Sequence, residues 1–245
     1  MNDNTKGRNN SFGKLYLIPT TLGDNEPLEV LPISIKGAIE KIDHYIAENE
    51  KSARHFIKKI YPRKSQPGLH IEVLNKFTEP SSLKDLLSPC LNGNPVGILS
   101  EAGCPAIADP GAAVVRLAHE AGIQVVPLVG PSSVTLALMA SGMNGQCFAF
   151  NGYLPIESAE RRKAIKAFEK ISREKGQAQI FIETPYRNDT LLADLLKTLL
   201  PATFLCVAAD LTLPTEYIAS KTVDAWKAEP VPGLHKRPAI FILQA

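Results

Sequence analysis

The sequence has few cysteines, and none of them is placed where it would hold a metal. Cys90, Cys104, Cys147 and Cys206 are scattered along the chain, with no C-x-x-C pair and no His–Cys spacing typical of a zinc site. We therefore expect no metal and expect the thiols to be reduced, as is usual inside cells.

Long apolar runs and a strong charge of either sign are also absent. No segment approaches the roughly 18 apolar residues of a membrane span, and residues 1–12 are polar, without the apolar core of a signal peptide. The 27 Lys and Arg residues nearly balance the 25 Asp and Glu residues. A positively charged surface that binds nucleic acid would therefore have to be confined to one part of the molecule. The expectation is a soluble, cytoplasmic protein with no membrane partner and a flexible tail over residues 1–12.

Short apolar runs alternate with amphipathic stretches in the first half of the chain. The runs 14–18, 96–99 and 123–129 read as strands, and a helical pattern over 110–121 ends at Gly122. Further helices are predicted at 34–41, 51–60 and 82–91, and further strands at 44–47 and 69–74. Buried strands separated by helices predict a mostly parallel sheet covered on both faces.

A second alternating set follows Gly130. Its predicted helices cover 133–141, 159–175 and 188–199, and its predicted strands cover 147–151, 178–183, 204–208, 216–220 and 238–243. The chain also exceeds the usual size of one core. We therefore predict two α/β domains: an N-terminal one over 13–130 with a mostly parallel sheet, and a C-terminal one over 131–245 with a mixed sheet. A ligand cleft is expected between them.

The segment LSEAGCPAIADPG, residues 99–111, carries the densest signal for a ligand site. A strand ends there in small residues, which allow a ligand to approach the backbone. Asp109 and Pro110 are open to a purely structural explanation, as the cap and first residue of a helix. That explanation leaves out Glu101, Ala102, Gly103, Cys104 and Pro105, for which we predict a functional role.

Two further turns directly follow predicted strands and carry polar side chains. In VGPSS, residues 129–133, Ser132 and Ser133 could hold a carboxylate or a ribose at a helix start, or Ser132 could simply cap the helix. In ETPYR, residues 183–187, a carboxylate and a guanidinium follow a strand, where a solvated turn is the simpler alternative.

A basic helix is predicted after the loop FNGYLPIES. Residues 160–175 hold seven basic and three acidic side chains, among them Arg161 and Arg162. This local positive charge is compatible with phosphate binding, although a solvated helix surface would have the same composition.

Taken in order, these segments resemble the tetrapyrrole methylase fold, in particular the rRNA small-subunit methyltransferase I subgroup, which methylates a cytidine 2′-hydroxyl. The chain offers IPTTLGDN, ENEK, SEAGCPAIADPG, VGPSS, SGM, FAFNGYLPIESAER, ETPYR and DLTLPTE where the subgroup has TPIGNL, EDTR, SDAGTPxISDPG, PGPSA, SGL, FxFxGFLPxKxxxR, ExPxR and ELTKxxE. The resemblance runs from about Gly13 to the end of the chain.

The resemblance implies an S-adenosylmethionine-dependent methyltransferase that is a homodimer and acts on RNA of the small ribosomal subunit. The implied cofactor contacts are Pro19, Glu101, Ala102, Gly103, Cys104, Pro105, Ser132, Ser133, Glu183, Pro185 and Val207. Glu48 and Lys51 become candidates for catalysis, with a helix-start carboxylate and a solvated amine as their structural alternatives. Arg161, Arg162 and Arg187 become candidates for substrate binding.

The chain departs from the subgroup at several charged positions. Glu101 stands in place of Asp, Asn49-Glu50-Lys51 in place of Asp-Thr-Arg, and Leu213 in place of Lys. Two alternatives therefore stay open: methylation of a tetrapyrrole or other small acceptor, and a module that binds the cofactor without catalysis. TTLGDN differs from the GxGPGDxxLLT loop expected for the first. A hydrolase is disfavoured because the chain has no G-x-S-x-G turn.

Overall fold

The computed structural model describes residues 12–75 and 77–245. The predicted tail over 1–12 lies outside these residues, apart from Phe12. The chain divides into two compact units. The first contains the described residues up to Thr21 together with Asn25–Pro131, and the second contains Leu22–Asp24 and Ser132–Ala245.

The first unit is a parallel sheet with helices on both faces. Its strands are β1 (Leu15–Ile18), β2 (His44–Ala47), β3 (His70–Val73), β4 (Val96–Leu99) and β5 (Val125–Pro127). Its helices are α1 (Pro27–Val30), α2 (Ser34–Lys41), α3 (Glu50–Ile60), a 3₁₀ helix (Pro80–Leu87), α4 (Ser88–Leu91) and α5 (Gly111–Glu120). The strand order is β3-β2-β4-β1-β5, and each pairing is parallel.

Alternating side chains of the sheet build a core on each face of this unit. Ile18 and Tyr45 pack with Phe56 and Ile57 of α3. On the other face Ile46 and its neighbours pack with α5 and the 3₁₀ helix. Continuous burial of β4 follows from its central position, because both faces of the strand are covered.

The continuous helix predicted over 82–91 is wrong in its form. The structure instead has a 3₁₀ helix, Pro80–Leu87, followed by the single α-helical turn Ser88–Leu91. Pro89 has no amide hydrogen to donate to the preceding turn, so a regular α-helix cannot run through it.

The second unit has a mixed sheet. Its strands are β6 (Phe148–Tyr153), β7 (Ala178–Ile182), β8 (Phe204–Ala209), β9 (Tyr217–Thr222) and β10 (Ala239–Gln244), and its helices are α6 (Ser133–Ser141), α7 (Ser158–Lys175), α8 (Asn188–Thr198) and α9 (Val223–Lys227). The order is β6-β7-β10-β8-β9. β6 and β7 pair in parallel, and the other three pairings are antiparallel.

The two faces of this sheet also carry separate cores. Phe181, Phe241 and Trp226 lie in the larger cluster, with α7, α8 and α9. Cys206 and Ile240 face the opposite way and pack against α6. Because side chains alternate along a strand, neighbouring residues of β8 and β10 serve different cores.

Candidate functional site

Three neighbouring strands bring predicted site residues of the first unit to one edge of its sheet. Ala47 of β2 and Ile18 of β1 both lie beside Leu99 of β4 in the parallel register. Glu48 follows β2 directly and Pro19 follows β1, so both lie where β4 also ends. The carboxyl edge of a parallel sheet is the usual ligand position in open α/β folds.

The loops after β1 and β4 are joined through their backbones. The Thr20 amide donates to the Gly103 carbonyl (3.0 Å), and the Gly103 amide donates to the Thr21 carbonyl (3.4 Å). The Ser100 hydroxyl also donates to the Gly103 carbonyl, at 2.6 Å. Gly103 is buried with φ of 74°, a conformation that favours glycine. These hydrogen bonds hold the two loops together. Glu101 and Ala102 are exposed on the surface of the loop after β4.

The Glu101 carboxylate is fixed by the start of α3. Its Oε1 accepts a hydrogen bond from the Ser52 hydroxyl at 2.7 Å. Asn49 is the N-cap of that helix, and its side chain accepts from the amides of Lys51 (2.9 Å) and Ser52 (3.3 Å). Asn49 thus performs the capping for which Asp or Asn is suited. Lys51 itself is exposed.

Asp109 closes the loop that leads into α5. Its Oδ1 accepts from the amides of Ala106 (2.7 Å) and Gly111 (2.9 Å). Ala106 and Ala108 have φ of 66° and 61°, and such left-handed alanines cost about 1–3 kcal/mol each. Asp109 therefore has a structural role, but the expected cap is wrong by one residue: Pro110 is the N-cap of α5, and Asp109 stabilises the strained loop before it.

Glu48 lies in an acidic environment at the same sheet edge. Burial raises the pKa of Glu48, and the nearby carboxylates of Asp109 and Glu101 raise it further. Glu48 and Asp109 line a pocket of about 10 Å³, whose other walls include the apolar Ile46 and Leu74. That volume is about the least that can hold one water molecule, so the Glu48 carboxyl lies in a confined, partly apolar site that disfavours its charged form.

Cys104 and Gly130 fill the space beside the first loop. The Cys104 thiol donates to the Pro131 carbonyl at 3.3 Å, and burial raises the pKa of this thiol. A Cβ on Gly130 would lie 2.2 Å from the Cβ of Pro19. Only glycine allows this approach, which places the segment before Pro131 directly against the loop after β1. Pro105 is buried in the same region.

Ser132 and Ser133 stand at the start of α6 in the second unit. Ser132 is in the N-cap position with φ of −131°, yet within the described residues its side chain makes no capping hydrogen bond. Both serines are half-buried. The capping explanation is therefore wrong for the Ser132 hydroxyl, which remains available beside the amides of a helix start.

Glu183 and Arg187 form an ion pair after β7. The Arg187 Nη2 donates to Glu183 Oε1 at 2.6 Å, and the Thr184 amide donates to the same oxygen at 2.6 Å. The hydrogen bond to Glu183 raises the pKa of the Arg187 guanidinium. Only 6% of Glu183 is exposed, so it is a buried, paired carboxylate and the solvated-turn explanation is wrong.

Pro185 and Val207 differ in their access to a ligand. The Pro185 carbonyl accepts from the Lys236 amide at 3.0 Å, which leaves the half-buried ring at the surface of the turn. Val207 lies in the middle of β8, fully buried in one cluster with Phe181 and Phe241. The Val207 side chain therefore belongs to the core, and the cofactor contact expected of this residue stays a prediction.

Arg161 also has a different role from the one expected. Only 4% of it is exposed; its Nε donates to Asp194 Oδ2 at 2.7 Å, and its Nη1 donates to the Ile156 carbonyl at 2.7 Å. It therefore joins α7, α8 and the loop before α7, which corrects its assignment to substrate binding. Arg162 is half-buried, and it contacts the Ser158 hydroxyl and lies 3.6 Å from Asp194 Oδ1.

The exposed positive charge of α7 lies further along the helix. Lys163, Lys166, Lys170 and Arg173 are exposed. Their spacing of three, four and three residues puts them on one face of an α-helix. Lys170 pairs weakly with Glu174 at 3.7 Å. We call these four residues the basic face of α7.

The DLTLPTE segment is ordered by a residue that sequence reasoning did not find. The Arg237 Nε donates to Asp210 Oδ2 at 2.7 Å, and its Nη2 donates to the Thr215 carbonyl at 2.7 Å. Leu213, which stands in place of a Lys, packs on Gly23: its Cδ1 lies 2.7 Å from where a Cβ of Gly23 would be. A hydrophobic contact therefore occupies the position of the expected cation.

Among residues 12–75 and 77–245, His, Cys, Asp and Glu side chains nowhere gather in a group of three that could hold a metal ion. Over the same residues, every helix is too short or too polar to cross a membrane.

Comparisons with known proteins identify relatives of this chain. No family model matches the chain. The ribosomal RNA small subunit methyltransferase I of Escherichia coli O157:H7 is 31% identical over 229 residues, which cover 90% of this chain and 74% of that protein. The protein of the same name from Neisseria meningitidis serogroup B is 32% identical over 213 residues, covering 86% of this chain and 68% of that protein.

Solved structures confirm the fold. The methyltransferase CobJ superimposes with a TM-score of 0.61 at 16% identity, over 95% of this chain and 94% of CobJ. The uroporphyrin-III-C-methyltransferase from Thermus thermophilus does so with a TM-score of 0.54 at 18% identity, over 95% of this chain and 92% of that one. The α/β fold of the tetrapyrrole methylase type is thereby shown. At the sequence identity and coverage given above, the chain belongs to the ribosomal RNA small subunit methyltransferase I family.

Proposed function

We propose that this protein transfers the methyl group of S-adenosylmethionine to the 2′-hydroxyl of a cytidine in small-subunit ribosomal RNA. The observation that carries the proposal is the joined pair of loops after β1 and β4, in which Gly103 is bonded to both Thr20 and Thr21. The relatives of this protein are named as ribosomal RNA small subunit methyltransferases. Such RNA is made in the cytoplasm of bacteria, which is where we place the reaction.

The cofactor would be held largely by backbone and small side chains. In the first unit Pro19 and residues 101–105 belong to loops fixed by internal hydrogen bonds, on which Glu101 and Ala102 are exposed, so little ordering is required on binding. In the second unit Ser132 and Ser133 offer hydroxyls and helix-start amides, which suit a carboxylate or a ribose. The ion-paired Glu183 and the adjacent Pro185 are the remaining contacts that we propose.

A bound S-adenosylmethionine supplies an electrophilic methyl group on a positively charged sulfur. Held by the residues above, it would give that methyl group to the ribose oxygen, and the sulfur would keep the electron pair of the broken carbon–sulfur bond. The protein must align the acceptor oxygen with that bond and exclude water. Carboxylates at the edge of the first sheet, Glu48 and Glu101, suit a cationic methyl donor.

Glu48 is the candidate that we favour for removing the hydroxyl proton. Its carboxyl has a raised pKa for the reasons given above, which brings it nearer to the value that suits a general base. Lys51 is the second candidate. Glu48→Gln should lower kcat by about 100-fold or more if the carboxylate is the base, and Lys51→Ala serves as the matched comparison. Full activity of both variants would remove both residues from the mechanism.

The RNA would be held by phosphate contacts of the second unit. The basic face of α7 is exposed and Arg187 is partly exposed, and Arg162 lies at the start of the same helix. Such contacts predict strong dependence of RNA affinity on salt, since each neutralised phosphate releases counterions. We also propose that the protein is a homodimer, which light scattering of the purified protein would test.

Two alternatives rest on particular observations. The solved methyltransferases that share the fold include one named for uroporphyrin-III, which favours a small acceptor. The Leu213–Gly23 contact replaces a charged side chain, which favours a module that binds without catalysis. Family membership and the acidic setting of Glu48 favour RNA methylation over both.

The test is a transfer experiment with three acceptors and one donor. S-adenosylmethionine carrying a labelled methyl group is incubated with the protein and either small ribosomal subunits, free small-subunit RNA or uroporphyrinogen III. Calorimetric titration of S-adenosylmethionine is measured in parallel. Transfer to RNA supports the proposal, transfer to the tetrapyrrole supports the first alternative, and binding without transfer supports the second.

A further inference from the structure

An exposed pair of aromatic rings lies beside the Glu183–Arg187 ion pair in the second unit. Tyr186 is 70% exposed, and its ring lies 5.8 Å from the ring of the exposed His235, at 71°. An edge-to-face pair of this kind leaves the broad face of one ring open. Solitary surface aromatics are common, whereas an exposed pair beside cations points to recognition.

The two rings come from segments that are bonded to each other. Residues 233–237 and 184–189 share three hydrogen bonds: from the Lys236 amide to the Pro185 carbonyl (3.0 Å), from the Leu234 amide to Asp189 Oδ1 (2.7 Å), and from the Asn188 side-chain amide to the Arg237 carbonyl (2.6 Å). Leu234 is also fully buried in the core. The backbone that carries the two rings is therefore held in place by the fold, which lowers the entropic cost of stacking a ligand on them.

A cationic residue follows each ring directly in the sequence, Arg187 after Tyr186 and Lys236 after His235. Lys236 is exposed and has φ of 63°, a strained conformation for a residue with a side chain. The buried Nε of Arg187 has no hydrogen-bond partner in the described residues. That nitrogen is closed to solvent, but 38% of the Arg187 side chain is exposed, so the outer part of the guanidinium can contact an incoming phosphate.

A third aromatic residue stands next to Arg187. Tyr153 ends β6, pairs with Ile182 of β7 in the parallel register and is 57% exposed. It is close enough to Arg187 to affect the pKa of the guanidinium. The carboxyl ends of β6 and β7 thus present aromatic rings and cations together.

Flat rings with cations beside them recognise unpaired nucleotides: the bases stack on the rings and the phosphates contact the cations. We propose that Tyr186 and His235 form a stacking platform for an unpaired base of the RNA substrate, with Arg187 and Lys236 contacting its phosphates. This inference rests on the proposed function and adds to it the residues that position the RNA.

Tyr186→Ala and His235→Ala test the platform, with Tyr186→Phe as the conservative variant. The matched control is Phe204→Ala. Phe204 is 50% exposed and begins β8. Because β7 and β8 are both antiparallel to β10, they run in the same direction. The start of β8 therefore lies at the end of the sheet opposite to Tyr186, which follows the end of β7. Each full-length variant is assayed for KM and kcat with small-subunit RNA, for affinity to a labelled single-stranded oligocytidine, and for S-adenosylmethionine affinity by calorimetry.

Loss of one stacked base should raise the KM for RNA and the Kd for oligocytidine by about 10-fold in Tyr186→Ala. Tyr186→Phe should stay within about 2-fold of the wild type, because the ring is retained. kcat at saturating RNA and cofactor affinity should be unchanged, as should every constant of Phe204→Ala.

Two results would overturn the platform while leaving methylation intact. One is a wild-type KM for RNA in Tyr186→Ala and His235→Ala, and the other is a loss of cofactor affinity that accounts for the whole defect. Absence of transfer to RNA by the wild type is a different outcome and removes the proposed function itself. In that case unchanged oligocytidine affinity of Tyr186→Ala would still reject the platform.

Discussion

Ser52 donates a hydrogen bond to Glu101 across 49 positions of sequence, with 2.7 Å between the oxygens. The bond ties the start of α3 to the loop after β4 and fixes a carboxylate that would otherwise rotate freely at the surface. A neighbouring strand supplies Glu48, whose charge is disfavoured by Glu101 and Asp109. The acidic edge of the first sheet is thus built from two segments, residues 48–52 and the loop after β4.

The Ser52–Glu101 bond should matter more for cofactor binding than for folding. Removing one exposed hydrogen bond costs at most about 1 kcal/mol of stability, so Ser52→Ala should keep its Tm within a few degrees. Its affinity for S-adenosylmethionine should fall by about 5- to 10-fold, because Glu101 loses its fixed position. Ser81→Ala, at another exposed serine of the first unit, is the control. Equal cofactor affinity in both variants would contradict this role for Glu101.

Glu48 should make stability depend on pH. Its folded-state pKa lies above the ordinary value of 4.5, so the carboxyl favours the fold below the unfolded pKa, and that contribution is lost as the pH rises through the folded pKa. Glu48→Gln should therefore have a higher Tm than the wild type at pH 7. The gain should shrink towards pH 4. Thermal unfolding from pH 4 to 8 measures the difference, and a gain that does not change with pH would count against a raised pKa.

Substitution by alanine at two glycines of the first unit should change the stability of the protein in opposite directions. Gly130→Ala puts a methyl group 2.2 Å from the Cβ of Pro19, so we expect destabilisation by about 1–3 kcal/mol and weaker cofactor binding. Gly37 lies within α2 with open space around it, so Gly37→Ala should stabilise the protein by about 0.5–1 kcal/mol. Chemical denaturation measures both. A harmless Gly130→Ala would mean that the loop after β1 can move aside.

The arginines and lysines of α7 should separate into structural and surface roles. Arg161→Ala leaves the largely buried Asp194 without its main partner and should destabilise the second unit by about 3–5 kcal/mol. Lys163→Ala changes an exposed residue and should leave stability within about 0.5 kcal/mol. RNA affinity at low salt should fall in Lys163→Ala, with a shallower salt dependence. Stable protein from Arg161→Ala would contradict the structural role of that side chain.

Much of the fold could be predicted because its strands are continuous apolar runs. The strands at 96–99 and 44–47 and the helix at 34–41 have the bounds that the hydrophobic pattern indicates. The pattern could not show that residues 82–91 belong to two short helices. Two short helices in succession and one continuous helix have apolar residues at nearly the same spacing. The proline at position 89 was the available signal.

The site residues were harder to assign because function and burial depend on distant partners. Arg161 and Lys163 look equivalent in a basic helix, and only the position of Asp194 on α8 makes one of them structural. Ser52 and Arg237 gave no signal because their carboxylate partners lie 49 and 27 positions away. Tyr186 was visible within ETPYR, whereas its partner His235 is placed beside it only by the hydrogen bonds of the folded turn.

The most direct measurement is mass spectrometry of nucleosides from small-subunit RNA that has been incubated with the protein and trideuteromethyl S-adenosylmethionine. The RNA is taken from cells that lack the modification. We expect one deuterated 2′-O-methylcytidine per RNA molecule, and strongly reduced labelling with Glu48→Gln. Deuterium on a base, on a nucleoside other than cytidine, or on no RNA nucleoside at all would contradict it.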